Sequence, residues 1–293
     1  MSLGFLFMDL CSKRTIKKIL KEHGLSPSKR LGQNFLIDKT ILKKILQGAD
    51  LQANEVVLEI GGGIGTLTQA LAKKVKKVIV VEKDPRLVSL LKETLKNFHN
   101  IEIIEGDILK ILNSKSESLK SKLKSKGYKV VANLPFYLTA PLIRKLLESS
   151  YRPKEIVLIV QKEIAQRITA KPPHMNLLAL SCQFYGRAKI IGYVSKKSFW
   201  PQPEVSGAII TLKPKGLKPK VEKEVFFKIV KAGFCHPRKK LVNNLTKNLG
   251  VEKEIILKIL KNAKINKDLR PENLSIKNWI TLGKIYYSWR KYL

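Results

Sequence analysis

Acidic side chains are scarce in this chain: 23 Asp and Glu stand against 57 Lys and Arg over 293 residues, a formal net charge of +34. Such an imbalance strains a compact fold through self-repulsion, and a polyanionic partner relieves it. A general lysine enrichment is the plainer alternative, but a sequence pI near 10.1 favours nucleic acid. Cysteine is rarer still. Cys11, Cys182 and Cys235 lie far apart with no C-x-x-C pair, which excludes a disulfide framework and a thiolate zinc site and fits a reducing compartment. His23, His99, His174 and His236 have no ligand spacing either, so no metal is expected. No apolar run approaches the 18 or so residues that a membrane span needs. The short apolar stretch Met1–Leu10 is broken by Asp9 and has no basic n-region or small-residue cleavage site, so no signal peptide is expected. The expectation is a cytoplasmic, soluble protein without membrane association. Hydrophobic residues nevertheless make up 44%, and the length suits one large α/β domain with a smaller one.

Along the chain, 13–23 reads as a basic amphipathic helix that stops at Gly24, and Asp38 is placed to cap a helix over 39–48. A regular alternation follows. Apolar runs at 56–60, 78–81, 101–104, 129–132 and 155–160 read as buried strands. Between and after them, 66–74, 85–97, 141–149 and 162–170 have helical period. This order predicts a mostly parallel sheet with helices on both faces. Ala188–Val194 and Gly207–Leu212 predict a terminal β-pair. Lys213–Lys220, rich in Lys and Pro, predicts a linker, beyond which the pattern is helical only. Residues 211–293 hold 21 Lys and Arg against 6 Asp and Glu, about twice the charge density of the rest. Lys115–Lys129 is a second basic stretch, a mobile loop or a helix before the fourth strand. The expected domains are therefore a basic N-terminal extension (1–27), a catalytic domain (28–213) and a helical RNA-binding domain (214–293).

The chemistry converges just past the strands. The first strand ends in Gly61-Gly62-Gly63-Ile64-Gly65, the second in Glu82, the third in Asp107 and the fourth in Asn133. In an open parallel sheet the carboxyl ends share one edge, and ligands bind there. A glycine turn lets backbone approach a ligand closely. A carboxylate about 20 residues on suits the two ribose hydroxyls, and an acid at the third tip can accept from an adenine amino group. An adenosine-containing ligand follows. A dinucleotide fingerprint G-x-G-x-x-G would need glycine at 66, where Thr66 stands; the spacing is G-x-G-x-G, the commoner form in methyltransferases. Asn133-Leu134-Pro135-Phe136 points the same way. The exocyclic amine of adenine is a poor nucleophile, and an Asn oxygen with a nearby backbone carbonyl can accept its two hydrogens. Pro135 stiffens the turn, and Phe136 offers a face on which a flipped-out base can stack. A sulfonium methyl is already activated, so no metal is required.

These segments resemble the ribosomal RNA adenine N6,N6-dimethyltransferases, the KsgA family. The resemblance rests on Gly32-Gln33-Asn34-Phe35-Leu36, Leu58 to Thr68, Val81-Glu82-Lys83-Asp84, Gly106-Asp107 and Asn133 to Phe136. It continues through Gln161-Lys162-Glu163 with Arg167, Phe199-x-Pro201-x-Pro203-x-Val205, Phe234 with Arg238-Lys239, and Arg270-Pro271-Glu272-Asn273-Leu274. It implies a class I S-adenosylmethionine-dependent methyltransferase fold, Rossmann-like with a mostly parallel sheet and an antiparallel terminal strand, plus a small helical C-terminal domain. The implied reaction dimethylates two adjacent adenosines in the 3′-terminal hairpin of small-subunit rRNA, by a monomeric enzyme acting on that rRNA or on the small ribosomal subunit precursor. Carried over by position, Asn34, Leu36, Gly61, Gly63, Gly65, Glu82, Asp107 and Asn133 would contact S-adenosylmethionine. Asn133 with the backbone of Leu134-Pro135 would receive the amine, Phe136 would stack the base, and Phe199 would close its other side. Most members have Tyr where this chain has Phe136, and Ser206-Gly207 departs from the usual x-Ser.

Three rivals stand beside this reading. An Erm-type enzyme would modify one adenosine of large-subunit rRNA, but that group commonly has Asn-Ile-Pro where Asn133-Leu134-Pro135 stands. A non-catalytic ribosome-assembly or transcription factor of the same fold would bind cofactor without transfer. A DNA adenine methyltransferase would act on duplex DNA.

Overall fold

Runs of β-branched residues and capped amphipathic segments set the elements of the computed structural model, which describes residues 9–113, 117–124, 127–215 and 221–290. In chain order these begin with α1 (Lys13–Glu22), β1 (Phe35–Leu36), α2 (Lys39–Ala49), β2 (Val56–Ile60), α3 (Thr66–Ala72), β3 (Lys77–Glu82), α4 (Pro85–Thr94), β4 (Ile101–Glu105), α5 (Ile108–Asn113), α6 (Glu117–Lys124) and β5 (Tyr128–Asn133). There follow α7 (Thr139–Glu148), β6 (Glu155–Gln161), α8 (Lys162–Ile168), α9 (Leu177–Tyr185), β7 (Gly186–Val194), β8 (Phe199–Trp200) and β9 (Gly207–Pro214). Four helices, α10 (Lys223–Gly233), α11 (Leu241–Leu249), α12 (Lys253–Asn262) and α13 (Ile276–Arg290), complete the order. Asp38 caps α2 by accepting from the Thr40 and Ile41 amides, and Asp84 caps α4 with Pro85 in its first turn.

Seven strands form one sheet in the order β4-β3-β2-β5-β6-β9-β7. The first five pair in parallel, and β9 returns antiparallel to β6. Val57, Leu58, Val78 to Val81, Val130, Val131 and Ile156 to Val160 are buried, as strands covered on both faces require. The expected terminal pair, β7 and β9, are neighbours at one edge. The basic stretch 115–129 contains α6, with 115–116 and 125–126 outside the described residues; the 216–220 part of the expected linker lies outside them too.

The described residues divide into two compact units: those up to Ala165 with Ala188–Pro214, and Gln166–Arg187 with those from Lys215 on. This differs from the expected 28–213 and 214–293 division in one segment. Gln166–Arg187 packs with the C-terminal helices because α9 is apolar and aromatic: Phe184 stacks on Phe226 at 4.2 Å between ring centroids, and Phe227 meets Phe184 edge-on at 5.4 Å. Within that unit Phe234 lies against the fully buried Trp279, which sits so close to Gly233 that any Cβ there would clash. Nor is the expected extension 1–27 separate from residue 9 onward. Ile16, Ile19 and Leu20 of α1 share a buried cluster with Phe35, Ile64, Leu87 and Leu90 of the first unit.

Candidate active site

Strand order does more for the site than chain order suggests. Because β4, β3, β2 and β5 stand side by side, the residues at their carboxyl ends form a row. Asp107 comes first, then Glu82, the turn Gly61–Gly63 and Asn133, and all of them line one cavity. Further lining comes from outside this sheet. Phe35 and Leu36 pair antiparallel with Trp200 and Phe199, which carries Leu31–Leu36, Phe199 and Pro203 over the cavity. The two-residue strands were too short to read from periodicity, so this ladder is visible only in the fold.

Glu82 anchors the acidic side. It is buried, and its carboxylate accepts from the Gly63, Lys83 and Asp84 amides at 3.0, 2.7 and 2.9 Å. Burial raises its proton affinity against the lowering effect of those amides. Asp107 behaves oppositely: the Lys83 ammonium at 2.9 Å holds it below the ordinary aspartate range. Its other oxygen accepts from the Leu109 amide. One acid is thus held by backbone amides alone and the other by a cation as well.

Asn133 ends β5 with its amide already half committed. Its Nδ2 donates to the Asn34 carbonyl at 3.0 Å, which leaves Oδ1 as the amide's available acceptor. Asn34 in turn donates to the Gly32 carbonyl at 3.1 Å. Gly32 has φ +64°, and a Cβ there would come within 3.2 Å of Pro135 Cβ, so the loop closes directly on the Leu134-Pro135 turn.

The cavity therefore gathers Asn34, Leu36, Gly61, Gly63, Glu82, Asp107, Asn133, Leu134, Pro135 and Phe199. It does not gather Gly65. That residue caps α3 at φ +94° and faces Leu91 and Leu95, so it shapes the turn from behind rather than lining the cavity. Phe136 opens a short 3-10 turn, and its side chain lies outside the described residues. Sequence reasoning missed Tyr137, which lines the cavity with an exposed ring, and Glu59. The only earlier signal for Glu59 was a carboxylate inside an otherwise apolar strand.

Glu59 is almost fully buried, with Oε2 lacking any hydrogen-bond partner, and burial pushes its carboxyl up to about 8. The folded chain thus keeps a proton that the unfolded chain loses near 4.5, and stability falls as pH rises from there to about 8. Glu82 contributes with the same sign. Glu59→Gln, which cannot ionise, is expected to lose less of its urea midpoint between roughly pH 6 and 9 than the native chain does. Equal losses would contradict the assignment.

The ribosomal RNA adenine dimethylase family pattern matches residues 24–286. The chain belongs to this family. A ribosomal RNA small subunit methyltransferase A from Dehalococcoides mccartyi is 40% identical over 265 residues, covering 90% of this chain and 89% of the relative. Among solved structures, a dimethyladenosine transferase from Plasmodium falciparum superposes with a TM-score of 0.73 at 26% identity, covering 87% and 97% of the two chains. The 23S rRNA methyltransferase ErmE does so at 0.70 and 23% identity, covering 86% and 99%. The first unit of this adenine dimethylase thus has the class I methyltransferase fold. Among its described residues no group of three or more His, Cys, Asp and Glu is placed to hold a metal, and no helix is long and apolar enough to cross a membrane.

Proposed function

We propose that this adenine dimethylase transfers methyl groups from S-adenosylmethionine to N6 of two adjacent adenosines in the 3′-terminal hairpin of small-subunit rRNA. The observation that carries the reading is the row of four strand tips in one cavity, acids on one side of the glycine turn and Asn133 on the other. The residues fit the cofactor's chemistry. A hydrogen-bonding ligand answers the buried Glu59 oxygen that has no partner, and a Cβ on Gly61 would point at the Asn133 carbonyl, across the floor a ligand would use. Glu82 and Asp107 suit the ribose and adenine ends, with Asn34, Leu36, Gly61 and Gly63 as walls.

The cofactor supplies a methyl already activated on a sulfonium. The chain's own part is to hold the amine. Asn133 Oδ1 accepts one N6–H, and the turn's backbone carbonyls are the acceptors for the second. That geometry draws the nitrogen lone pair out of conjugation with the ring. Phe199, buried at the rim, is the apolar surface against which the flipped base rests. Because the position is set by hydrogen bonds that the fold itself makes, little reorganisation is needed at the moment of transfer.

The substrate is placed in the small subunit because the relative at 40% identity bears that name; the ErmE likeness speaks for fold alone. We place the reaction in the cytoplasm, on rRNA or the small-subunit precursor, by a monomer. Primer extension on both rRNAs after incubation with enzyme and cofactor tests the choice. New stops are expected in the small-subunit RNA near its 3′ end. Stops confined to the large-subunit RNA would replace this reading with the Erm-type one.

A further inference from the structure

Helix α1 is the sequence feature that the reaction does not use. Its buried side is fixed to the cavity wall: Ile16, Ile19 and Leu20 pack with Phe35, Ile64 and Leu87, three residues that line the cavity. Leu10, just before the helix, accepts a hydrogen bond through its carbonyl from Thr66, another lining residue. The opposite side is cationic. Lys13, Arg14, Lys17, Lys18 and Lys21 are all exposed. Of these, only Lys18 has a carboxylate partner among the described residues, Glu22 at 3.8 Å.

Such a helix is unfavourable on its own terms. Lys13 and Arg14 occupy the first turn, where the macrodipole favours acids, and no acid stands there. Lys13, Lys17 and Lys21 follow one another at four-residue spacing, where like charges repel. Lys17 also rests over the ring of Trp200 at 5.8 Å. Trp200 packs with the α1 cluster and is next in the chain to Phe199, which lines the cavity, so the cationic face lies beside the cavity wall. Arg30 and Lys29, both exposed, continue it along the loop into Leu31–Leu36. A fold that anchors exposed cations beside the cavity wall, against their own repulsion, presents a surface suited to a polyanion.

We infer that the Lys13–Lys17–Lys21 face of α1 binds the phosphate backbone of the rRNA strand that flanks the target adenosine. The helix thereby sets which nucleotide reaches the cavity, independently of the basic C-terminal helices. This rests on the rRNA reading above.

The test is a triple variant, Lys13→Gln, Lys17→Gln and Lys21→Gln, beside a charge-matched control, Lys73→Gln, Lys74→Gln and Lys76→Gln. The control lysines are exposed before β3, at the opposite end of the sheet from the cavity. Full-length enzyme is titrated with a small-subunit 3′-hairpin RNA over a range of salt, and methyl transfer is followed with the same RNA. The α1 variant is expected to lower the slope of log K against log salt by about two, roughly 0.7 per lost contact. It is also expected to raise KM for RNA about tenfold or more at unchanged cofactor affinity, while the control stays near the native protein. Equal effects of the two triples would reduce α1 to generic charge and overturn the inference. So would an α1 variant with native slope and KM. Failure of the native enzyme to methylate this hairpin, with activity on large-subunit RNA, would instead sink the substrate reading.

Discussion

Asn133→Ala is expected to lower kcat by about 10²–10³-fold, the loss found when one preorganised hydrogen-bonding group is removed from a transition state. The amide does two things in the structure. Its Nδ2 holds the Asn34 carbonyl at 3.0 Å, and its oxygen, in a residue that lines the cavity, is the acceptor proposed for the amine. Alanine removes both. The second loss falls on transfer, the first on the Gly32–Leu36 wall. Cofactor affinity is therefore expected to change by less than about tenfold, or ~1.4 kcal/mol, while kcat carries the main effect. Single-turnover transfer measured beside cofactor titration separates the two. A variant that transfers at the native rate would remove Asn133 from the reaction.

Glu82→Ala is the complementary case, with its largest effect on binding. Three backbone amides within 3.0 Å converge on this carboxylate, and one of them belongs to Gly63 in the glycine turn. Removing it leaves those donors without their acceptor and frees the turn. On the proposed assignment, the dissociation constant for S-adenosylmethionine is expected to rise about 100-fold, ~2.7 kcal/mol. Stability is expected to fall by about 1–3 kcal/mol from the amides left unpaired. Glu82→Gln keeps the shape but offers a single acceptor oxygen, and should fall between. Calorimetric titration and urea unfolding check the two parts, and Glu82→Ala binding within twofold of native would contradict the ribose role.

Both residues were legible in the sequence, for a physical reason. A parallel strand buried on both faces shows as a short apolar run, and the first polar residue after it marks the sheet's carboxyl edge. Glu82 and Asn133 each stand at such a break, and Asp107 follows directly once Glu105 and Gly106 close the third run. Their order across the sheet was not legible. Nothing local tells that β5 lies beside β2 and across from β3 and β4, because crossover pairing is decided by tertiary packing. The β1–β8 ladder joins residues more than 160 apart through two pairs, too little to leave a periodic trace. Gly65 shows the reverse limit. The resemblance made it a cofactor contact, and the fold places it at φ +94° beside Leu91 and Leu95, outside the residues that line the cavity. The amphipathic pattern of α1 correctly announced a helix, while its partner surface, built from Phe35, Ile64 and Leu87, came from three distant segments. The same holds for Gln166–Arg187, whose aromatic residues find Phe226 and Phe227 only once the C-terminal helices are folded.

The central claim is that the cavity behind Asn133 dimethylates N6 of adenosines in small-subunit rRNA. Mass mapping of nucleosides tests it most directly, on small subunits from a strain lacking the enzyme, incubated with the purified chain and S-adenosylmethionine. The expected result is N6,N6-dimethyladenosine at two adjacent positions of the 3′-terminal hairpin with the native chain, formed about 10²–10³-fold more slowly with Asn133→Ala. Dimethylation at a single position, at another site, or undiminished in the Asn133→Ala variant would contradict it.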